Sequence, residues 1–214
     1  MKILAIVAAI ILALYLVVYV ATAPQGFDDS LLSTYNPLDE PVQEDLTDAE
    51  PVATIAIPDG EAIITPKARY HVAAKVGGVK RYRDKWGSYV ARHDVVLLWG
   101  QAASDEAKPH MNISQSMRWY HFRIDEDSPF DVQYMIRHSA NTHLIPANKN
   151  IERAINRLSR GDVINLEGYL VSISGTWKGG TIWWHSSLTR NDTGDGSCEV
   201  LYVERLRKDG KSYE

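Results

Sequence analysis

Residues 3 to 23 read ILAIVAAIILALYLVVYVATA, with no charge, no Gly and no Pro. As a helix, a run of about twenty residues rises about 30 Å, the thickness of a bilayer's hydrocarbon core. A lone strand would leave its backbone unpaired in lipid, so a helix is the form this run can take there. Tyr15 and Tyr19 lie toward its far end, where an amphipathic ring suits the headgroup level. Ala21-Thr22-Ala23 also fits the small-x-small pattern of a cleaved signal peptide. Against cleavage, the run exceeds a signal's apolar core of roughly 7–15 residues, and Pro24 would follow the cut directly. Residues 1–24 are therefore expected to be a retained transmembrane anchor. Lys2 precedes the span and Asp28 and Asp29 follow it. The positive-inside bias then places the N-terminus in the cytoplasm and the rest outside. The expected address is an inner (cytoplasmic) membrane, crossed once, with a periplasmic or otherwise extracytoplasmic domain.

Charge divides the chain beyond the anchor into two parts. Residues 27–50 hold eight acids and no Lys or Arg. Residues 24–60 also contain Pro24, Pro37, Pro41, Pro51 and Pro58 and few large apolar side chains. That composition reads as an acidic linker over 25–60, extended by self-repulsion away from an anionic membrane surface. The remainder, 51–214, has a net charge of about +3, too small to argue for nucleic acid on charge alone. The single cysteine, Cys198, excludes an internal disulfide framework and any Cys-rich zinc site.

From residue 61 the pattern turns strand-like. Tyr70, Val72, Ala74 and Val76 alternate with polar neighbours, Gly77-Gly78 signals a turn, and Val95 to Trp99 is a continuous apolar run. MRWYHFRI over 117–124 would place Arg118, Tyr120, Phe122 and Ile124 on one face. Ile151, Ala154, Ile155 and Leu158 mark one helix, capped by Asn148 or Asn150 and stopped by Gly161. A long strand follows over 162–173 with Gly168 inside it, a sign of a bend or bulge at the corner of a small barrel. Two further strands are expected, over 181–185 and 199–206. Six or seven short strands with one helix give a mainly β fold: an antiparallel barrel or sandwich over 61–208, with 209–214 as a C-terminal tail.

Two polar stretches stand out. The first runs Arg137-His138-Ser139-Ala140-Asn141-Thr142-His143-Leu144-Ile145-Pro146. The second runs from Trp184-His185 through Arg190, Asp192 and Asp195 to Cys198-Glu199. Together with Trp99-Gly100 and Gly168-Tyr169-Leu170-Val171, they resemble an uncharacterised group of bacterial proteins with an N-terminal membrane anchor and no assigned activity. The resemblance spans roughly residues 68 to 204 and implies a bacterial origin and an envelope address. The run of basic helix, Gly-Asp and long strand with a central Gly also resembles strands of OB-fold barrels.

Chemical signatures are incomplete in these stretches. His138 and His143 are five apart, so no HExxH spacing exists, although His185 or His121 could join from another strand. Ser139, Ser186, Ser187 and Cys198 sit in no nucleophile elbow. Asp192-Thr193-Gly194 has no second copy, which the aspartic protease arrangement requires, and reads as a turn. The same loop begins like an EF-hand, but Tyr202 stands where the twelfth-position Glu belongs. No phosphate loop, dinucleotide fingerprint or other cofactor motif occurs, and no catalytic or metal-ligating residue is assigned. Lys75, Lys80, Arg81, Arg83 and Lys85, with Tyr82 and Trp86, form a basic aromatic hairpin, read as a solvated face or a partner for the acidic linker.

These observations favour a binding or interaction module on the outer side of a membrane, with an envelope protein, a glycan or a lipid headgroup as ligand. Arg137, His138, Asn141, His143, Trp184, His185, Arg190, Asp192 and Asp195 are the candidate ligand-binding residues. The alternatives are an envelope hydrolase using the same His/Asp cluster, metal-assisted or not, and an OB-like nucleic-acid-binding module, which would need the opposite orientation.

Overall fold

The computed structural model describes residues 2–28, 36–83, 85–192, 194 and 196–214. The apolar run forms α1 (Lys2–Ala21), one helix long and apolar enough to cross a membrane, with Leu4–Ala21 unburied by the rest of the chain. At its C-terminal end Arg157 lies over the Tyr19 ring and donates to the Tyr19 carbonyl at 3.2 Å. Gln25 and Asn150 then exchange two hydrogen bonds of 2.7 and 2.9 Å, so the chain meets the body directly after the helix.

Twelve strands and three short α-helices come next among the described residues, with 3-10 turns at Gly100–Ala103 and Lys108–His110: β1 (Phe27–Asp28), β2 (Val42–Asp45), β3 (Ala53–Ile57), β4 (Gly60–Arg81), α2 (Gly87–Val90), β5 (His93–Leu98), β6 (Met111–Ser116), β7 (Trp119–Ile124), α3 (Val132–Arg137), β8 (Ser139–Pro146), α4 (Lys149–Ile155), β9 (Val163–Trp177), β10 (Gly180–His185), β11 (Glu199–Lys208) and β12 (Lys211–Tyr213). The protein is mainly β, as the alternating pattern requires.

Five of these strands close on themselves. β4 pairs antiparallel with β5, and β5 with β8. β8 runs parallel to β11, β11 pairs antiparallel with β9, and β9 returns antiparallel to β4. Alternation puts one side chain in two inside the ring. Tyr70, Val72, Ala74, Val76, Val95, Leu97, Trp99, Leu144, Leu166, Leu170, Leu201 and Val203 form one buried cluster. Burying each of the larger aliphatic side chains contributes about 1.5–3 kcal/mol. Helix α4, between β8 and β9, adds Ile151, Ala154, Ile155 and, just past its end, Leu158 to that cluster. Asn148 caps α4, its Oδ1 accepting from the Asn150 and Ile151 amides.

Closure depends on Gly168. A Cβ there would lie 1.9 Å from the Tyr202 carbonyl oxygen, so any side chain would push β11 off β9. The ladder shifts register opposite it, between Val203 and Arg205, leaving Glu204 as the extra residue. The bend expected at Gly168 is thus made by a bulge on its partner strand.

The sheet extends beyond the ring. β3, β2 and β5 pair in turn along one edge of β4, and β10 pairs with the second half of β9. β2 and β3 come from the acidic segment expected to be a linker. Their short alternating runs find an open β4 edge, a partner that local composition does not reveal. The acidic segment also docks on the body: the Gly100 amide donates to the Pro37 carbonyl and the Trp99 indole to Glu40. At the other end, β12 pairs with β11 and β1, so the expected C-terminal tail belongs to the sheet. Between β5 and β8 sits the separate β6–β7 hairpin. Its apolar face (Ile113, Tyr120, Phe122, Ile124) packs on Val96 and Leu98 outside the ring.

Candidate functional site

The β6–β7 hairpin turns through two residues, Met117 and Arg118, both with positive φ (49° and 70°). Such a turn normally takes Asn-Gly. Holding two non-glycine residues there costs about 1–2 kcal/mol each. Tertiary contacts hold the tip. The Arg118 amide donates to the Tyr82 hydroxyl at 2.9 Å, and its guanidinium donates to the Ala91 carbonyl and to Asp94 Oδ1 at 2.8 and 2.6 Å. That guanidinium also lies over the rings of Tyr82 and Trp184.

Asp94, on β5, is the hub of this cluster. Its Oδ1 also accepts from His143 Nδ1 at 2.7 Å, and both residues are almost fully buried. With Nδ1–H donating to the carboxylate, a neutral His143 presents a bare Nε2. The His143 ring packs 4.4 Å from Trp184, which meets Trp86 edge-on at 5.9 Å. Trp183, 70% exposed, lies beside His185. Lys85, Trp86, Arg118, Trp119, His143, Trp183, Trp184, His185 and Cys198 surround a cleft of about 500 Å³. It lies between the β4–β5 loop, the β6–β7 tip and the segment joining β9 to β11.

A second cavity of about 220 Å³ adjoins it and shares Trp119 and Cys198 as walls. Tyr120, Phe122, Asn141, Arg190, Asp192 and Glu199 also line it. Arg190 Nη1 donates to Glu199 Oε1 at 2.9 Å and Nη2 to the Tyr70 hydroxyl at 2.6 Å, while the guanidinium lies over the Tyr70 and Trp99 rings. Glu199 is 3% exposed, and among the described residues its Oε2 has no partner. Burial pushes its carboxyl up to about 7 despite Arg190. Burial likewise pushes the Cys198 thiol up to about 12, which keeps it protonated and a poor nucleophile.

The candidate residues separate into groups. His143, Trp184 and His185 line the cleft. Asn141, Arg190 and Asp192 line the second cavity. His138 lines neither; its Nε2 lies 2.8 Å from Glu40, and its ring stacks on Tyr134. Arg137, at the end of α3, is exposed and lines neither cavity. Asp195 lies outside the described residues. Ser187 donates to Asp192 at 2.7 Å, and Ser186 to the Ser187 carbonyl. Among the described residues, no three His, Cys, Asp or Glu side chains converge as a metal site would need.

Arg118, Trp86, Trp119, Trp183 and Glu199, which complete the two cavities, are absent from the candidate set, as is Asp94, which holds Arg118 and His143 in place. Trp86, expected on a basic surface, packs on Trp184 instead. Asp94 offers one signal, a carboxylate entering an apolar strand. Such a group needs a cationic partner, which long-range pairing supplies. In comparisons with protein families, curated proteins and solved structures, the chain matches none.

Proposed function

We propose that the chain is a single-pass membrane-anchored binding module whose β domain faces the extracytoplasmic side and holds an envelope glycan in the tryptophan cleft. One observation carries this reading. Trp86, Trp119, Trp183 and Trp184 converge on a single concave surface around the Arg118–Asp94–His143 chain. Flat apolar rings beside a few fixed polar groups suit a ligand with alternating apolar faces and hydroxyls. The ring supports an OB-type assignment. Numbered by sequence, its order is 1-2-3-5-4-1, with a helix between the third and fourth strands. OB-type barrels bind oligosaccharides or oligonucleotides over strands 2 and 3 and the loops after strands 1 and 4; this cleft takes His143 from the third strand and its other walls from those two connections and the β6–β7 tip. Lys2 before the span, with no Lys or Arg after it until Lys67, supports the outward orientation.

The test is co-sedimentation of the full chain, in detergent micelles, with insoluble purified cell-wall glycan. Binding that falls about tenfold in Trp183→Ala supports the reading. Equal binding by the variant, or binding only to a single-stranded oligonucleotide or to an envelope protein, overturns it. Nucleic acid stacks on the same ring types, and the hydrolase alternative retains one observation, the Asp94–His143 pair with Nε2 available as a base.

A further inference from the structure

The second cavity has an unbalanced charge. The charged side chains lining it are Arg190, Asp192 and Glu199, one cation against two carboxylates. Arg190 is already engaged by Glu199 Oε1, the Tyr70 hydroxyl and two ring faces. Glu199 Oε2 is buried and, among the described residues, lacks a donor. Trp119, Tyr120 and Phe122 line the same space. Carboxylate oxygens beside aromatic rings are the chemistry that holds an ammonium group. A carboxylate or phosphate ligand would meet repulsion there, and a neutral hydroxyl would leave the extra charge unbalanced.

We propose that this cavity is a subsite for an amino sugar with a free amine, one hexosamine ring at the inner end of a glycan lying in the cleft. The proposal rests on the glycan reading of the cleft, and the shared walls Trp119 and Cys198 connect the two spaces. The ammonium sits against Glu199 Oε2 and Asp192, and an N-acylated sugar, which carries no charge there, is disfavoured. Binding is linked to protons. Glu199 is faced by Arg190 and Asp192 from the β10–β11 loop, Tyr70 from β4, Tyr120 from β7 and the adjacent Cys198. Arg190 favours its ionised form, while Asp192 and burial oppose it. A bound ammonium shifts the balance toward carboxylate, so a proton leaves Glu199 for solvent as the amine binds.

The experiment is titration calorimetry of the full chain in detergent micelles with two probes, a β-1,4-linked glucosamine tetramer and its fully N-acetylated counterpart. The free-amine tetramer is expected to bind about tenfold tighter or better, the value of a charge-assisted hydrogen bond. It should release protons at pH 5.5, where the amine is already charged and Glu199 still holds its proton, seen as a dependence of the heat on the buffer's ionisation enthalpy. Glu199→Gln and, independently, Asp192→Asn should each bring the affinity ratio toward one, so a folding defect in either leaves the other informative. Equal binding of the two probes, tighter binding of the acetylated one, or an unchanged ratio in both variants overturns the subsite and leaves the glycan reading standing. Binding of neither probe, with cell-wall glycan also failing to bind, overturns both.

Discussion

Glu199→Gln should make the protein's stability less sensitive to pH, in a direction opposite to ordinary acid denaturation. Folding raises the Glu199 carboxyl from 4.5 to about 7 because the side chain is buried with Oε2 unpartnered. Between those values the folded state binds the proton that the unfolded state has released. The group therefore gives its full contribution below the unfolded value, and that contribution is lost as pH rises through the folded one. The shift corresponds to about 3 kcal/mol, of which about 2.5 falls between pH 5 and 8.5. Gln matches the protonated acid in shape and cannot ionise. At pH 5 variant and wild type should unfold at similar urea concentrations, and at pH 8.5 the variant should be the more stable by about 2.5 kcal/mol relative to that baseline. The assay is urea unfolding of the full chain in detergent micelles, followed by tryptophan fluorescence, at both pH values. Other titrating groups cancel in the difference between the two proteins. A difference that does not change with pH, or one that favours wild type at high pH, would show that Arg190 keeps Glu199 ionised throughout, and the proton release expected as an amine binds in the second cavity would fail.

Three further outcomes are expected from the same geometry. Asp94→Ala strands Arg118 and His143 without their shared acceptor and should destabilise by about 3–5 kcal/mol in urea unfolding, the cost of breaking a buried ion pair. Met117→Gly removes positive-φ strain at an 83% exposed position and should raise stability by about 1 kcal/mol, read as a higher melting temperature. His93, which burial and then Arg81 and Arg92 push down to about 4, contributes stability that is present above 6.5 and lost as pH falls. His93→Gln should therefore show a smaller drop in melting temperature between pH 7.5 and 5 than wild type.

Local pattern carries the apolar N-terminal helix, the interior face of β4 and the helix α4, since each is written in a continuous stretch of sequence. Gly168 is legible for the same reason, because a glycine inside a strand marks a close approach of backbone. β2 and β3 are not, because their stability comes from the β4 edge rather than from their own acidic, proline-flanked sequence. The Met117–Arg118 turn is hidden because neither residue favours positive φ; tertiary bonds to Tyr82 and Asp94 override the local preference. The candidate site is half legible. His143, Trp184, Arg190 and Asp192 sit in polar stretches that catch the eye. The partners of His143 and Trp184, namely Asp94, Arg118 and Trp86, lie 25 or more residues away in sequence and are brought to them by the tertiary fold.

The glycan-binding proposal depends on which side of a membrane the cleft occupies. Protease added to intact spheroplasts expressing the full chain with a tag after Glu214 tests this directly. The outward orientation predicts that the tag disappears without lysis, while a cytoplasmic marker survives. A tag protected until the membrane is opened would place the tryptophan cleft in the cytoplasm and contradict the glycan-binding account.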